Sequence, residues 1–244
     1  MDQYAKRRPL VIRAALAACL LATPVVAECR LALVLALDVS SSVDAAEDAL
    51  QRGGLASAFL APEVRQAFLA SPDPVAVAVF EWSGRYNQAL LMDWVLVDSS
   101  ADLYFVSEQI GSSTRSHNEF PTAIGYALGY AAGLLDRAPG CLFKVVDVSG
   151  DGSNNEGFGP QAAYREFPFD DVTVNGLVVN AAEFESETQL IHFYESQVLH
   201  GPGAFLEIAQ GFEDYERAMR RKLEREVRPP SIGAVHHDMI DVPG

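Results

Sequence analysis

Two kinds of apolar pattern alternate along the chain. Residues 31–37 are continuously apolar and end at Asp38, which is typical of a strand buried on both faces of a parallel sheet. Similar runs predict further strands at 75–80, 89–97, 142–148, 172–179 and 203–209. Apolar residues at helical spacing predict one helix and a following turn within 44–70, and helices at 101–110, 124–134, 160–166, 185–195 and 212–227.

This alternation predicts an α/β fold with a doubly wound, mostly parallel six-stranded sheet flanked by helices. The link at 83–87 is too short for a crossover helix, so the strands on either side of it are expected to form an antiparallel hairpin. Ligands of doubly wound sheets bind outside the carboxyl ends of the strands. The loops that follow residues 37 and 148 are therefore the first candidates for a functional site.

The N-terminal segment is predicted to be a secretory signal peptide that is cleaved near Ala27. An apolar run over 14–27 has small residues at its end, and basic residues precede it at Lys6, Arg7, Arg8 and Arg13. Two other export signals stay open, a twin-arginine signal at Arg7-Arg8 and a lipoprotein box ending at Cys19. We expect a signal peptide at 1–27, one domain at 28–228 and a tail at 229–244, in a protein that is periplasmic or secreted.

Composition narrows the range of partners. The 244 residues are 49% hydrophobic, with 18 Lys and Arg against 33 Asp and Glu and a net charge of −15. This excess of acidic residues argues against binding to nucleic acid or to an anionic membrane surface. After residue 27 no apolar stretch approaches the roughly 18 residues that cross a bilayer, so no membrane span is expected in the mature chain.

Oxygen-bearing side chains are concentrated in the loops at the strand ends. Asp38, Ser40 and Ser42 stand at alternate positions after the first strand, and Asp151 follows the fourth strand between two glycines. Thr122 precedes a predicted helix. If the first and fourth strands are neighbours, these side chains meet at one edge of the sheet. Carboxylate and hydroxyl oxygens suit a hard divalent cation, so we expect Mg²⁺ there, with Mn²⁺ or Ca²⁺ as alternatives.

These residues carry a resemblance to the von Willebrand factor type A domain, whose metal-ion-dependent adhesion site uses D-x-S-x-S, a threonine and a distant aspartate. The match covers nearly all of 29–228, and Thr114 is a second candidate for the threonine. Four segments look like an exported bacterial branch of that superfamily, described only as a domain of unknown function: Asp38-Val39-Ser40-Ser41-Ser42, Thr122-Ala123-Ile124-Gly125, Asp147 to Gly152 with Asn154-Asn155, and Gly201-Pro202-Gly203-Ala204-Phe205.

The resemblance implies a Rossmann-like fold with a metal-dependent ligand site, and it leaves the ligand open. A cation with an open coordination position accepts a carboxylate oxygen readily. We therefore expect an adhesion-type module that binds an acidic group on a protein partner. Residues 115–119 could add contacts near the site. Asp147 is expected to play a structural role, and the basic residues of 217–225 are expected to form a solvated helix face.

Two other functions compete with this interpretation. Residues 150–155 resemble the G-D-G-x-N-D motif of haloacid-dehalogenase-type phosphatases. That chemistry needs carboxylates where this chain has Ser40 and Asn155, so we do not expect an enzyme. The other alternative is a structural domain whose metal site is vestigial.

Two cysteines remain after the signal peptide, Cys29 and Cys141. Export to an oxidising compartment favours a single disulfide between them, although two buried free thiols stay open. Cys29 precedes Asp38 by nine residues and Cys141 precedes Asp151 by ten. If both acids lie at one edge of the sheet, both cysteines lie at similar depth near the opposite edge.

Overall fold

The computed structural model describes residues 29–180 and 184–229. The signal peptide expected at 1–27 and the residues of the tail beyond 229 lie outside this part. Six strands form one sheet in the order β3-β2-β1-β4-β5-β6, in which only the β2–β3 pair is antiparallel. The strands are β1 Cys29–Asp38, β2 Val75–Trp82, β3 Gln88–Val97, β4 Cys141–Gly150, β5 Val172–Val179 and β6 Leu206–Ala209. The predicted fold class is confirmed.

Seven α-helices flank the sheet in the described ranges: α1 Ala45–Leu60, α2 Pro62–Phe68, α3 Ser100–Gly111, α4 Ile124–Asp136, α5 Pro160–Glu166, α6 Phe184–Phe193 and α7 Tyr215–Val227. Helix α1 ends at Leu60, and the next residue, Ala61, is extended because it precedes a proline. Helix α6 continues into a π-helical turn at Tyr194–Val198. Among these helices, none combines the length and the apolar character that a bilayer span requires.

The central strand explains why the first apolar run lacks polar alternation. Every residue of β1 is buried, with Leu33 and Leu35 in the cluster that includes α1, α3 and α7. Ala32 and Val34 point to the other face and pack with α4. Because helices cover both faces of β1, both sets of alternate side chains must be apolar.

The two cysteines of the described chain are bonded to each other. Cys29 and Cys141 are register partners in adjacent parallel strands, with Cα atoms 4.5 Å apart, and they form a disulfide. Strands β1 and β4 begin at these residues, whereas Asp38 and Gly150 end them. The disulfide therefore lies at the sheet edge opposite to the loops that follow β1 and β4.

The prediction of a fully solvated basic face on α7 is wrong at Lys222, which has no exposed surface. Its Nζ lies 2.9 Å from Asp147 Oδ1 and donates to Glu226 Oε1 at 2.5 Å. Burial alone would lower the pKa of Lys222, but the two carboxylates outweigh burial and raise it above its ordinary value. Helical spacing explains the error, because Lys222 lies seven residues after Tyr215 and so shares its inward face.

We expect Lys222→Met to lower the free energy of unfolding by about 3 kcal/mol, because it leaves two buried carboxylates without their cation. Urea unfolding measures this loss. Arg221→Met is the matched control, since Arg221 pairs with Glu207 at the surface and exposed pairs contribute less than about 1 kcal/mol. Adding Asp147→Asn to Lys222→Met should recover part of the loss. Equal effects of the Lys222 and Arg221 variants would contradict this account of the cluster.

Candidate metal-binding site

The candidate site lies where β1 and β4 end side by side. The register pairs Leu37 with Ser149, so the loops that follow the two strands leave the sheet at the same edge. A third loop, which leads into α4, reaches this edge because the Ser41 amide donates to the Phe120 carbonyl at 2.8 Å. The topology therefore brings together three segments that are far apart in the sequence.

The five side chains predicted from the motifs form one contiguous cluster. Thr122 Oγ1 donates to Ser40 Oγ at 3.2 Å, and Ser40 Oγ lies 3.1 Å from Ser42 Oγ. Ser42 Oγ donates to Asp151 Oδ1 at 2.6 Å. Asp38 joins the cluster by accepting the Ser40 amide on Oδ1 at 2.7 Å. Three hydroxyls and two carboxylates thus share one small volume.

Thr122, and not Thr114, is the threonine of this cluster. Thr114 is exposed elsewhere in the same loop, whereas Thr122 is only 3% exposed. Asn155 holds Thr122 in place, since its side-chain oxygen accepts the Thr122 amide at 2.8 Å. A Cβ atom on Gly152 would come within 3.2 Å of Thr122 Oγ1, so glycine allows the loop after β4 to pass close to the threonine.

The electrostatics of the cluster fit a cation. Asp38 is fully buried, and no described residue donates to its Oδ2. Burial, together with the nearby Asp151 carboxylate, raises the pKa of Asp38 to about 8, while Ser40 and Arg115 offset part of this rise. Burial also raises the pKa of Asp151. Two carboxylates held close together are stabilised by a bound cation, and oxygen ligands are those that Mg²⁺ prefers.

Arg115 fixes the conformation of the loop that follows β1. Its guanidinium donates to the carbonyl oxygens of Val39 at 2.8 Å, Ser40 at 2.9 Å and Val43 at 2.6 Å. The N–H donors of the planar guanidinium are thus bonded to backbone carbonyls of this loop, and Arg115 stabilises the loop's conformation. Ligand contacts by residues 115–119 stay a prediction.

The loop that carries Arg115 is itself anchored to a buried ionic network. The amide of Ser116 donates to Glu81 Oε1 at 2.7 Å, and Arg52 pairs with Glu81 on the other carboxylate oxygen. Arg52 also pairs with Asp48 of α1 at 2.9 Å. These contacts connect α1 and β2 to the loop beside the site. They therefore fix the backbone from which the Arg115 side chain extends.

Elsewhere the described residues offer no group of three or more His, Cys, Asp or Glu side chains that could hold a metal ion. The candidate site is of a different kind, because three of its five side chains are hydroxyls.

Comparison with known sequences identifies the family of this chain. The sequence profile of a family described as "Protein of unknown function (DUF1194)" matches residues 28–231. The chain belongs to the DUF1194 family. Among individually curated proteins, none has a sequence that matches.

Solved structures show that this DUF1194 chain has a von Willebrand factor type A fold, as the motifs suggested. Proximal thread matrix protein 1 from the mussel byssus, with a zinc-occupied MIDAS motif, aligns with a TM-score of 0.59 at 19% identity over 82% of this chain and 46% of that one. A von Willebrand factor type A structure from Catenulispora acidiphila gives a TM-score of 0.54 at 14% identity, with 82% and 42% covered.

The pilus adhesin SpaC from Lactobacillus rhamnosus GG gives a TM-score of 0.59 at 11% identity over 82% of this chain and 30% of that one. The DUF1194 chain thus spans less than half the length of these structures. At such identities the similarity shows a shared fold only. The MIDAS motif belongs to the mussel protein, and the adhesin function belongs to SpaC.

Proposed function

We propose that this protein is an exported binding module that holds a divalent cation at Asp38, Ser40, Ser42, Thr122 and Asp151. The main support is that the oxygen atoms of these five side chains form one contiguous cluster, in which the buried Oδ2 of Asp38 receives no hydrogen bond from a described residue. Mg²⁺ suits these ligands best, and Mn²⁺ or Ca²⁺ would also be accepted. The zinc-occupied MIDAS of the mussel protein supports the use of a divalent cation on this fold.

The partner we propose is a protein that presents a carboxylate at the rim of the site. When bound, the cation supplies a local positive charge that accepts an oxygen ligand. Such a charge reverses the field expected from a chain with a net charge of −15. The adhesin among the structural neighbours supports a protein partner.

We propose binding rather than catalysis because the cluster offers no activated nucleophile. Ser40 is fully buried, and its hydroxyl forms hydrogen bonds with the hydroxyls of Ser42 and Thr122. A nucleophilic serine requires a general base within hydrogen-bond reach. The phosphatase mechanism would need a carboxylate at position 40, where the hydroxyl cannot act as the acid.

We also propose that the protein is exported and that its signal peptide is cleaved near Ala27. The binding domain then begins at about residue 28. The disulfide between Cys29 and Cys141 supports an oxidising compartment.

A capture experiment tests the proposed function. The mature protein is immobilised and exposed to an envelope extract of its source with Mg²⁺ present, and retained proteins are then eluted with EDTA. We expect a partner that EDTA releases and that rebinds when Mg²⁺ is restored. Amidation of extract carboxylates with a carbodiimide and an amine should abolish capture, because the partner's oxygen ligand is then neutral.

Thr122→Val is the matched variant, since it removes one hydroxyl from the cluster and keeps the shape of the side chain. We expect this variant to lose most of the captured partner. Retention of the same partner in EDTA would show that recognition uses another surface. Metal-dependent hydrolysis of an aryl phosphate by the purified protein would instead favour the phosphatase.

A further inference from the structure

A buried tyrosine, Tyr194, lies near Asp38 of the candidate metal site. Tyr194 has no exposed surface, and its hydroxyl has no hydrogen-bond partner among the described residues. Burial first, and then the charges of Asp38, Asp151 and Asp147, raise its pKa well above the ordinary value. The side chain is therefore a neutral phenol, whose O–H is a hydrogen-bond donor.

Gly150 shows how close this hydroxyl comes to Asp38. A Cβ atom placed on Gly150 would lie 2.8 Å from the Tyr194 hydroxyl and 2.7 Å from Asp38 Oδ2. The two oxygens are therefore at most about 5.5 Å apart. A small side-chain rotation or one bridging water covers such a distance. The two atoms are also complementary, because one is an unpartnered donor and the other an unpartnered acceptor.

Backbone features make room for the tyrosine at this place. A Cβ atom on Gly176 of β5 would come within 2.9 Å of the Tyr194 ring, and one on Gly150 of β4 would meet the hydroxyl. Glycines in two neighbouring strands thus form a slot for the side chain. Tyr194 begins the π-helical turn that follows α6, and such turns occur frequently at functional sites.

We propose that Tyr194 is a positioning residue of the metal site, whose hydroxyl donates a hydrogen bond to Asp38 Oδ2 directly or through one buried water. This inference rests on the proposed function. An ionised carboxylate oxygen accepts more than one hydrogen bond or ligand contact. Asp38 can therefore be held by Tyr194 from behind and by the Ser40 amide from the side while its carboxylate still serves the cation.

Tyr194→Phe tests this role, with Tyr215→Phe as the matched control. Both tyrosines are fully buried, but the Tyr215 hydroxyl donates to Ser149 Oγ at 3.1 Å on the α7 side of the sheet. We expect Tyr194→Phe to weaken Mg²⁺ affinity about ten- to a hundredfold, the range seen when partners of metal ligands are removed. Tyr215→Phe should leave Mg²⁺ affinity within about twofold, because its hydroxyl is bonded to Ser149, which is not one of the five side chains of the cluster. Unchanged Mg²⁺ affinity in Tyr194→Phe would overturn the inference and leave the proposed cation site standing.

A second measurement needs no metal. In EDTA, Tyr194→Phe should lower the thermal unfolding midpoint by about 2–4 °C, and it should have no such effect in the Asp38→Ala background. A hydroxyl that truly lacks a partner would give the opposite sign, since its removal from the interior is stabilising. Additive shifts, or a raised midpoint, would overturn the inference. If the native protein fails to bind Mg²⁺, the proposed function falls, and this cycle still decides whether Tyr194 holds Asp38.

Discussion

Asp38→Asn is expected to abolish Mg²⁺ binding, with at least a hundredfold loss of affinity, while the fold is kept. The amide has nearly the shape of the carboxylate but lacks the charge that a hard cation requires. The metal-free variant should be no less stable than the native protein, because the amide is neutral at every pH, whereas burial and the Asp151 charge raise the pKa of Asp38 to about 8 and so make its ionisation in the folded protein unfavourable. Calorimetric titration with MgCl₂ and thermal unfolding in EDTA measure the two effects.

Glu119→Gln is the control for this substitution. Glu119 is exposed in the loop beside the site, so the variant removes the same charge without touching the cluster. We expect it to bind Mg²⁺ as the native protein does. Native affinity in Asp38→Asn would remove Asp38 from the site, and a parallel loss in Glu119→Gln would indicate that general acidity, and not the cluster, attracts the cation.

Loss of the disulfide should have the largest effect on stability. Cys29 and Cys141 are 112 residues apart in the sequence, so their bond restricts a long loop in the unfolded chain. In the loop-entropy model the contribution is about 5 kcal/mol. We expect Cys29→Ala with Cys141→Ala to lower the free energy of unfolding by about that amount in urea, with Mg²⁺ affinity preserved because the bond lies at the opposite sheet edge.

Reductant provides the control for the disulfide prediction. Dithiothreitol should shift the urea midpoint of the native protein toward that of the double variant and should leave the double variant unchanged. A native protein whose midpoint does not respond to reductant, despite complete reduction of the bond, would contradict the predicted contribution.

The sheet could be predicted because strand burial leaves a local mark on the sequence. The unbroken apolar run of β1 indicated burial on both faces, and the short link before β3 indicated the antiparallel hairpin; both features are confirmed. Strand ends were less well defined. The sixth strand was expected over 203–209 and is observed at Leu206–Ala209, because the glycine- and proline-containing segment before it forms turns instead.

The candidate site was predictable to the level of which side chains meet. Motif residues at strand ends converge once β1 and β4 are neighbours, and Asp38, Ser40 and Asp151 are found in one hydrogen-bonded cluster. The choice between Thr114 and Thr122 needed three-dimensional contacts, because both residues lie in one loop and neither has a distinctive local pattern.

The residues that support the site could not be found from local pattern. Arg115 binds carbonyl oxygens more than seventy residues away in the sequence, and backbone carbonyls leave no trace in a sequence motif. Glycines in β4 and β5 make room for Tyr194 near Asp38, and the sequence does not show which side chain fills that space. Lys222, which pairs with Asp147 and Glu226 and is not part of the site, differs from these residues, because helical spacing alone would have placed it on the buried face of α7.

The central claim is that the cluster at the ends of β1 and β4 holds a divalent cation. Crystals of the mature protein soaked in MnCl₂ and measured for anomalous scattering test this claim most directly. The account predicts one strong manganese peak among the side-chain oxygens of Asp38, Ser40, Ser42, Thr122 and Asp151, and no peak there in crystals of Asp38→Asn. Manganese that binds only elsewhere, or no peak at the cluster at saturating MnCl₂, would contradict it.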